Sequence, residues 1–309
     1  MAKKPAHYVW LDGDFVEWAE AKLHVSTDTV LRGANVFEGI RAYHDGSNGQ
    51  MFVFRLREHV ERLWQSMKVM RMTCPYSKED LARACVEVVS RNDFHEDVHI
   101  RLVAYFGEGP LFAFKRDEIV TGAFVLALPR PSSPGVRDGI ACCVSSWQRL
   151  ADHVMPPRVK AGANYQQSRL VSVQAHLDGY DSAIMLNERG KVSEGPGACL
   201  MMVRNGQPIT PPVTADILES ITRRTLMELF HSEMGLEVIE RDIDRTELYI
   251  ADELFYCGSG NEITPIISVD RYPVGEGSVG PISKTIQDIY FDVVRGQRAE
   301  YKHWCTPVY

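Results

Sequence analysis

Ten lysines are spread along the chain, and one of them, Lys160, stands in Arg158-Val-Lys160-Ala-Gly-Ala-Asn-Tyr165, among small residues with a tyrosine five positions on. A primary amine attacks carbonyl carbon once its charged form is disfavoured, and lysine is the side chain that performs this chemistry. Ala161, Gly162 and Ala163 would let a flat ring lie close to the backbone. A lysine is ordinarily a solvated surface charge, so the setting of Lys160, not its type, singles it out. Three other stretches carry groups that could serve such an amine. Ser193-Glu194-Gly-Pro-Gly197 offers a carboxylate at the exit of a strand. Ser220-Ile221-Thr222-Arg223 opens a helix, where unpaired N–H groups and partial positive charge suit an anion. Gly258-Ser259-Gly260-Asn261 is a turn whose successive N–H groups could converge into an anion nest. Each has an ordinary reading as well: a surface glutamate, a capped helix, a plain turn.

The elements that must position these groups are legible in outline. Asp12-Gly13 between Tyr8-Val-Trp-Leu11 and Phe15-Val-Glu-Trp18 predicts a two-residue hairpin. Strands are expected at Asn35 to Tyr43 and Met51 to Arg55. Val60, Leu63, Trp64, Met67 and Met70 recur at helical spacing between Glu58 and Met72, with Arg62 beside that stripe. Ser77 with Asp80 caps a second helix, and strands follow at about 98 to 106 and 119 to 128. Strands and helices thus come in separate runs, an α+β pattern. Pro129-Arg-Pro-Ser-Ser-Pro-Gly135 is the best linker, so the chain is expected to divide into 1–128, a linker 129–137, and 138–309. In the second part a strand over Ile140 to Ser145 is followed by Lys160 after an irregular segment, then by a helix from Tyr165 to a stop at Gly179. Short strands are expected at Ile184 to Leu186 and Lys191 to Ser193, a hairpin at Asn205-Gly206, and a helix from Ser220 to Gly235. Asp244-Arg-Thr-Glu247 starts a short capped helix, and the strand Glu253 to Cys257 delivers Gly258. Gly275-Glu-Gly-Ser-Val-Gly280 matches the dinucleotide fingerprint by letter only, because a single helix, begun by Pro281, follows it instead of a βαβ unit. The tail after Arg295 carries no periodic signal.

Composition excludes several classes. At 309 residues, 45% hydrophobic and 24% charged, the chain has the make-up of a globular protein large enough for one or two domains. A formal charge of -7, without a basic stripe, argues against a general nucleic-acid binder. The start, Met-Ala-Lys-Lys-Pro-Ala-His, lacks the apolar run of a secretory leader, and the apolar segment near Val120 to Leu128 is too short to span a bilayer. Seven cysteines without framework spacing fit reduced thiols, so a cytoplasmic location is expected. His95 and His99, four apart, lack the pattern and the third ligand of a metal site, and none is expected.

Taken together, Lys160-Ala-Gly-Ala-Asn-Tyr165, Ser193-Glu-Gly-Pro-Gly197 and Gly258-Ser-Gly-Asn-Glu-Ile-Thr-Pro265 resemble, in their order and gaps, the class IV aminotransferases that use pyridoxal 5'-phosphate. Val36-Phe37-Glu38-Gly39-Ile-Arg41-Ala-Tyr43 narrows the resemblance to branched-chain amino acid aminotransferases, over roughly Tyr8 to Val294. The resemblance implies the two-domain fold type IV architecture of D-amino acid aminotransferase-like enzymes, with a smaller first domain and a larger, cofactor-binding second one. It further implies at least a homodimer, with small-molecule amino acid and 2-oxo acid substrates. By motif position, Lys160 would bind the cofactor as a Schiff base and move the substrate proton, Tyr165 would bond the ring oxygen, and Glu194 would keep the ring nitrogen protonated. Arg62, Ile221, Thr222 and Ser259 would hold the phosphate, Arg62 by forking two oxygens. Phe37, Ser259 and Gly260 would line the substrate, and Arg101 would receive the distal carboxylate of 2-oxoglutarate, making glutamate and 2-oxoglutarate one substrate pair.

The chain departs from the family where the side-chain pocket is expected. Arg32 and His99 stand where tyrosines are usual, Arg130 where an aromatic is common, and Cys199 and Met201 where Asn and Phe are usual. An unpaired guanidinium buried beside leucine's methyl groups would cost several kcal/mol. A pocket-facing Arg32 therefore predicts a second substrate more polar than leucine. An Arg32 turned to solvent leaves ordinary branched-chain activity. The alternatives within the resemblance are a D-amino acid or (R)-amine transaminase and an aminodeoxychorismate lyase-like enzyme, and outside it a binding protein without activity.

Overall fold

The structure, a computed structural model, describes residues 6–109 and 119–309; the start of the chain read above, residues 1–5, lies outside the described residues. The chain forms two compact units. The first comprises the residues up to Pro131 with Val159–Ala163 and Val293–Tyr309, and the second Ser132–Arg158 with Asn164–Asp292.

In chain order the first unit holds β1 (Tyr8–Leu11), β2 (Asp14–Glu17), α1 (Asp28–Arg32), β3 (Asn35–Asp45), β4 (Gln50–Phe54), α2 (Leu56–Val69), α3 (Lys78–Arg91), β5 (Val98–Phe106) and β6 (Thr121–Pro129). The second holds α4 (Pro134–Asp138), β7 (Ile140–Val144), α5 (Asn164–Leu177), β8 (Ser182–Ile184), β9 (Cys199–Arg204), β10 (Gln207–Thr210), α6 (Ile221–Met234), β11 (Ile239–Glu240), β12 (Glu253–Gly258), β13 (Glu262–Val269), β14 (Tyr272–Pro273) and α7 (Pro281–Val294). β15 (Cys305–Pro307) returns to the first unit. Among the described residues no helix is long and apolar enough to cross a membrane.

The first unit is a seven-stranded sheet in the order β15-β4-β3-β5-β6-β1-β2. Asp12 and Gly13, both at positive φ, make the tight turn that sets Leu11 opposite Asp14. Strand alternation sorts the central ladder into two faces. Phe37, Gly39 and Arg41 of β3 stand opposite Val103, Arg101 and His99 of β5, while Glu38 and Ile40 stand opposite Leu102 and Ile100. α2 covers the Glu38 face with Val60, Leu63 and Met67, and its Arg62 is buried as well, not solvated beside the stripe. α3 begins at the expected Ser77–Asp80 capping box. The tail after Arg295, silent in the sequence, completes this sheet. Cys305 pairs with Phe54, and Arg55 stacks 3.6 Å over the Trp304 ring.

The second unit is an eight-stranded sheet in the order β11-β10-β9-β12-β13-β7-β8 with β14 on β13. Its core packs Leu200, Met202, Leu254, Tyr256, Ile266 and Val192. Asn205-Gly206 forms the expected hairpin turn. Part of the Pro-rich segment folds as α4, with Pro at a first-turn position where its missing N–H costs nothing. The expected strand at Lys191 to Ser193 is reduced to isolated bridges, because the Asn187 side chain accepts the N–H groups of Arg189 and Lys191. α7 follows the glycine-rich loop, and its first N–H groups, at Ile282 and Ser283, donate to the buried Glu253 at 2.9 and 2.6 Å. The protein's own carboxylate thus fills the anion seat that a dinucleotide would need.

Candidate active site

In the first unit, the segment Val159–Ala163 is laced to β3. Phe37 N–H donates to Lys160 O at 2.9 Å, and Gly162 N–H to Asn35 O at 3.1 Å. Lys160 N–H also donates to Ser66 Oγ on α2 at 3.3 Å. Gly162 serves this approach: a Cβ there would stand 2.5 Å from Asn35 Oδ1. With its backbone held, Lys160 extends its amine over the Phe37 ring, Nζ 5.0 Å from the centroid. The Arg101 guanidinium sits on the same ring at 4.4 Å.

Below that face, Glu38 is fully buried between two α2 side chains. Arg62 forks it through Nε at 2.9 Å and Nη2 at 2.7 Å, and His59 Nδ1 stands 2.7 Å from the same carboxylate. A carboxylate only accepts, so Nδ1 carries the proton. Burial alone would raise the Glu38 pKa, but the Arg62 charge and the bonds from both partners outweigh it and hold it at about 2. Burial likewise pushes His59 down against the pull of Glu38. The Arg62 fork expected to grip a phosphate is therefore engaged on Glu38. His59 and Glu38 were not among the residues picked out by chemistry. An acid inside the apolar run Val36 to Tyr43, a helix with His and Arg three apart, and alternation were the available signals.

On the Phe37 face, Arg41 is 2% exposed and lies 3.8 Å from Asp97, which also takes a two-pronged contact from Arg295 at 2.8 and 3.0 Å. His99, next along β5, has both ring nitrogens buried and without a hydrogen-bond partner. Burial, followed by the charges of Arg101, Arg130, Arg41 and Lys160, drives its pKa down to about 3. Arg32, by contrast, ends α1 in an ion pair with Asp28 and keeps 39% of its side chain exposed. Arg32 is paired and partly exposed, so it carries no burial cost that would disfavour a leucine-like side chain.

In the second unit, Glu194 is 5% exposed. Arg149 Nη2 pairs with its Oε1 at 2.9 Å, and Leu218 N–H donates to its Oε2 at 3.2 Å. Cys199 Sγ donates to the same Oε2 at 3.7 Å and to Leu218 O at 3.3 Å. Arg149 was missed; it lies 45 positions from its partner, with no local pattern to mark it. Ser220 caps α6 by accepting Arg223 N–H at 3.2 Å, which leaves the first-turn N–H groups of Ile221 and Thr222 outside the helix's own ladder. Both residues are buried. Ser259 and Gly260 form the half-buried turn between β12 and β13, closed by Asn261 N–H on Gly258 O. Tyr165 is half-buried in the first turn of α5.

Comparisons with known proteins match this chain over nearly all of its length. The family model described as amino-transferase class IV matches residues 35–269. A probable branched-chain-amino-acid aminotransferase of Aquifex aeolicus is 38% identical over 98% of this chain and 97% of its own. The PLP-form (holo-form) crystal structure of branched-chain amino acid aminotransferase from Thermobaculum terrenum superposes with a TM-score of 0.93 at 42% identity, covering 99% of this chain and 100% of that one. The Escherichia coli branched-chain amino acid aminotransferase gives 0.94 at 36% identity, over 98% and 100% of the two chains.

Proposed function

We propose a function from one premise: this chain belongs to the class IV aminotransferase family. It is a pyridoxal-phosphate-dependent transaminase of the branched-chain type. Its proposed reaction exchanges the amino group between a branched-chain L-amino acid and 2-oxoglutarate. The observation that carries this reading is the lysine amine held over the Phe37 ring, beside a guanidinium on the same ring.

The first unit offers an amine of the type that suits the cofactor's carbonyl, and the second offers a buried carboxylate of the type that suits its ring nitrogen and helix-start N–H groups that suit its phosphate. Pyridoxal phosphate supplies an electron-withdrawing ring that accepts and returns the amino group. The chain's own groups do the rest. Lys160 Nζ would take the substrate's α-proton as general base and deliver it, as general acid, to the carbon through which the cofactor carries the amino group. Glu194, oriented by Arg149 and Leu218, would hold a proton on the ring nitrogen. Tyr165 would donate to the ring oxygen. Ile221, Thr222 and Ser259 would hold the phosphate, with Arg62 adding charge. Phe37 and Gly260 would border the substrate, and Arg101 would take a distal carboxylate.

As an assembly we propose at least a homodimer acting in the cytoplasm, a location that a thiol-rich, disulfide-free chain suits. A panel of L-amino acids, D-amino acids and amines assayed with 2-oxoglutarate tests the reaction. Leucine, isoleucine and valine should rank among the donors used, and consumption of D-amino acids or amines alone would overturn it.

A further inference from the structure

We propose that Cys199 is a positioning residue for Glu194: its thiol sits against the carboxylate as a weak donor and leaves Glu194 more basic than a hydroxyl or an amide in that place would, so that the carboxylate keeps a firmer hold on a proton at the cofactor's ring nitrogen. The inference deepens the transaminase reading and rests on it, through the part proposed there for Glu194.

Local structure dictates the contact. The segment Glu194-Gly-Pro-Gly-Ala-Cys199 closes on itself where Gly195 N–H donates to Ala198 O at 2.8 Å, and Glu194 and Cys199 form an antiparallel bridge. Residues opposite each other in such a bridge project to the same side, so thiol and carboxylate meet, with Sγ 3.7 Å from Glu194 Oε2. Leu218 brackets both groups, its N–H donating to Oε2 at 3.2 Å and its carbonyl oxygen standing 3.3 Å from Sγ. Arg149 holds the other carboxylate oxygen, Oε1, at 2.9 Å. Cys257, opposite Cys199 on β12, brings a second buried thiol rather than a charge, since burial pushes it up to about 12.

The Cys199 thiol keeps its proton. Burial lifts its pKa well above the usual 9.0, the Glu194 charge and Cys257 add to that, and Arg223 of α6 pulls the other way without prevailing. A thiol has one hydrogen and is a weak donor. Two acceptors face it here, so a bond to Leu218 O is a bond withheld from Oε2. A serine hydroxyl would bond the carboxylate more strongly, and an asparagine amide, usual at this position in the family, has two N–H groups and could serve both acceptors at once. Each bond donated to a carboxylate favours its charged form and lowers its basicity. Of these three side chains, cysteine fills the place while bonding the anion least.

The test uses Cys199→Ser, Cys199→Asn and Cys199→Ala. In infrared spectra, the S–H stretching band that Cys199→Ala removes should move to higher frequency in Glu194→Gln, because an amide oxygen accepts more weakly than a carboxylate. That readout needs no turnover. In holoenzyme whose cofactor is isotope-labelled at the ring nitrogen, Cys199→Ser and Cys199→Asn should move the nitrogen resonance toward the unprotonated form, and single-turnover rate constants should fall roughly three- to tenfold. Cys199→Ala, which removes the donor altogether, should stay within about twofold of the parent. A purely structural role gives the opposite order, since serine is nearest to cysteine in size and alanine leaves a void. In the Glu194→Gln background the Ser and Asn substitutions should slow the reaction no further. An S–H band indifferent to Glu194→Gln, or an alanine variant slower than the serine variant with the nitrogen resonance unmoved, overturns the inference while leaving transamination standing. No turnover of the parent with any amino acid would instead bring down the transaminase reading, and this inference with it.

Discussion

Glu38 is a carboxylate without access to water, stable only because Arg62 and His59 surround it. Its folded pKa of about 2 lies below the ordinary 4.5, so unfolding takes up a proton as pH falls. The pair's contribution is complete above about pH 4.5 and lost as pH falls through about 2, and at neutral pH it is on the order of 3 kcal/mol. Glu38→Gln should cost about that much in denaturant titrations at pH 7 and flatten the acid limb between those values; an unchanged midpoint would contradict the pairing. An amide cannot hold a ring proton as a carboxylate does, so Glu194→Gln should retain cofactor while slowing proton transfer roughly a hundredfold. Equal single-turnover rates would refute that role. Lys160 and Glu194 could be singled out because they stand in short motifs, and Arg101 because of its position in the family resemblance. Arg149 and Asp97 were not, since each acquires meaning only from a partner that folding brings to it.

The segment bearing Lys160 is positioned by backbone bonds to β3. Gly162→Ala would drive a methyl group into Asn35 and displace that segment, and a shift near 1 Å typically costs on the order of a hundredfold in rate. The expected result is slower turnover with an unchanged unfolding midpoint to within about 1 kcal/mol; full activity would show that the clamp is slack. Elements with local instructions were legible: Asp12-Gly13 and Asn205-Gly206 specify turns, and Ser77 and Ser220 specify helix starts. The small residues after Lys160 were legible as a close approach, but Gly162 approaches a neighbouring strand. β15 was not legible, because three edge residues carry no period and are recruited by the free edge of β4.

At the scale of the whole molecule, exposed apolar side chains call for cover. Val30 and Leu31 of α1 are 53% and 54% exposed, and on α5 Leu170, Val173 and Leu177 lie outward on one helical face. A homodimer or larger assembly would bury such surface. Sedimentation at assay concentration should find no active monomer, and a fully active monomer would contradict the assembly. Fold class was readable from strand and helix runs, whereas the return of Val293–Tyr309 to the first unit was not, because it depends on contacts some 250 residues apart. The proposed chemistry turns on one amine, that of Lys160. Borohydride reduction of the holoenzyme, followed by peptide mapping, should place the pyridoxyl-phosphate mass on the peptide containing Lys160, with both the mass and turnover lost in Lys160→Ala; the mass on another lysine, or a Lys160→Ala enzyme that keeps adduct and turnover, would contradict it.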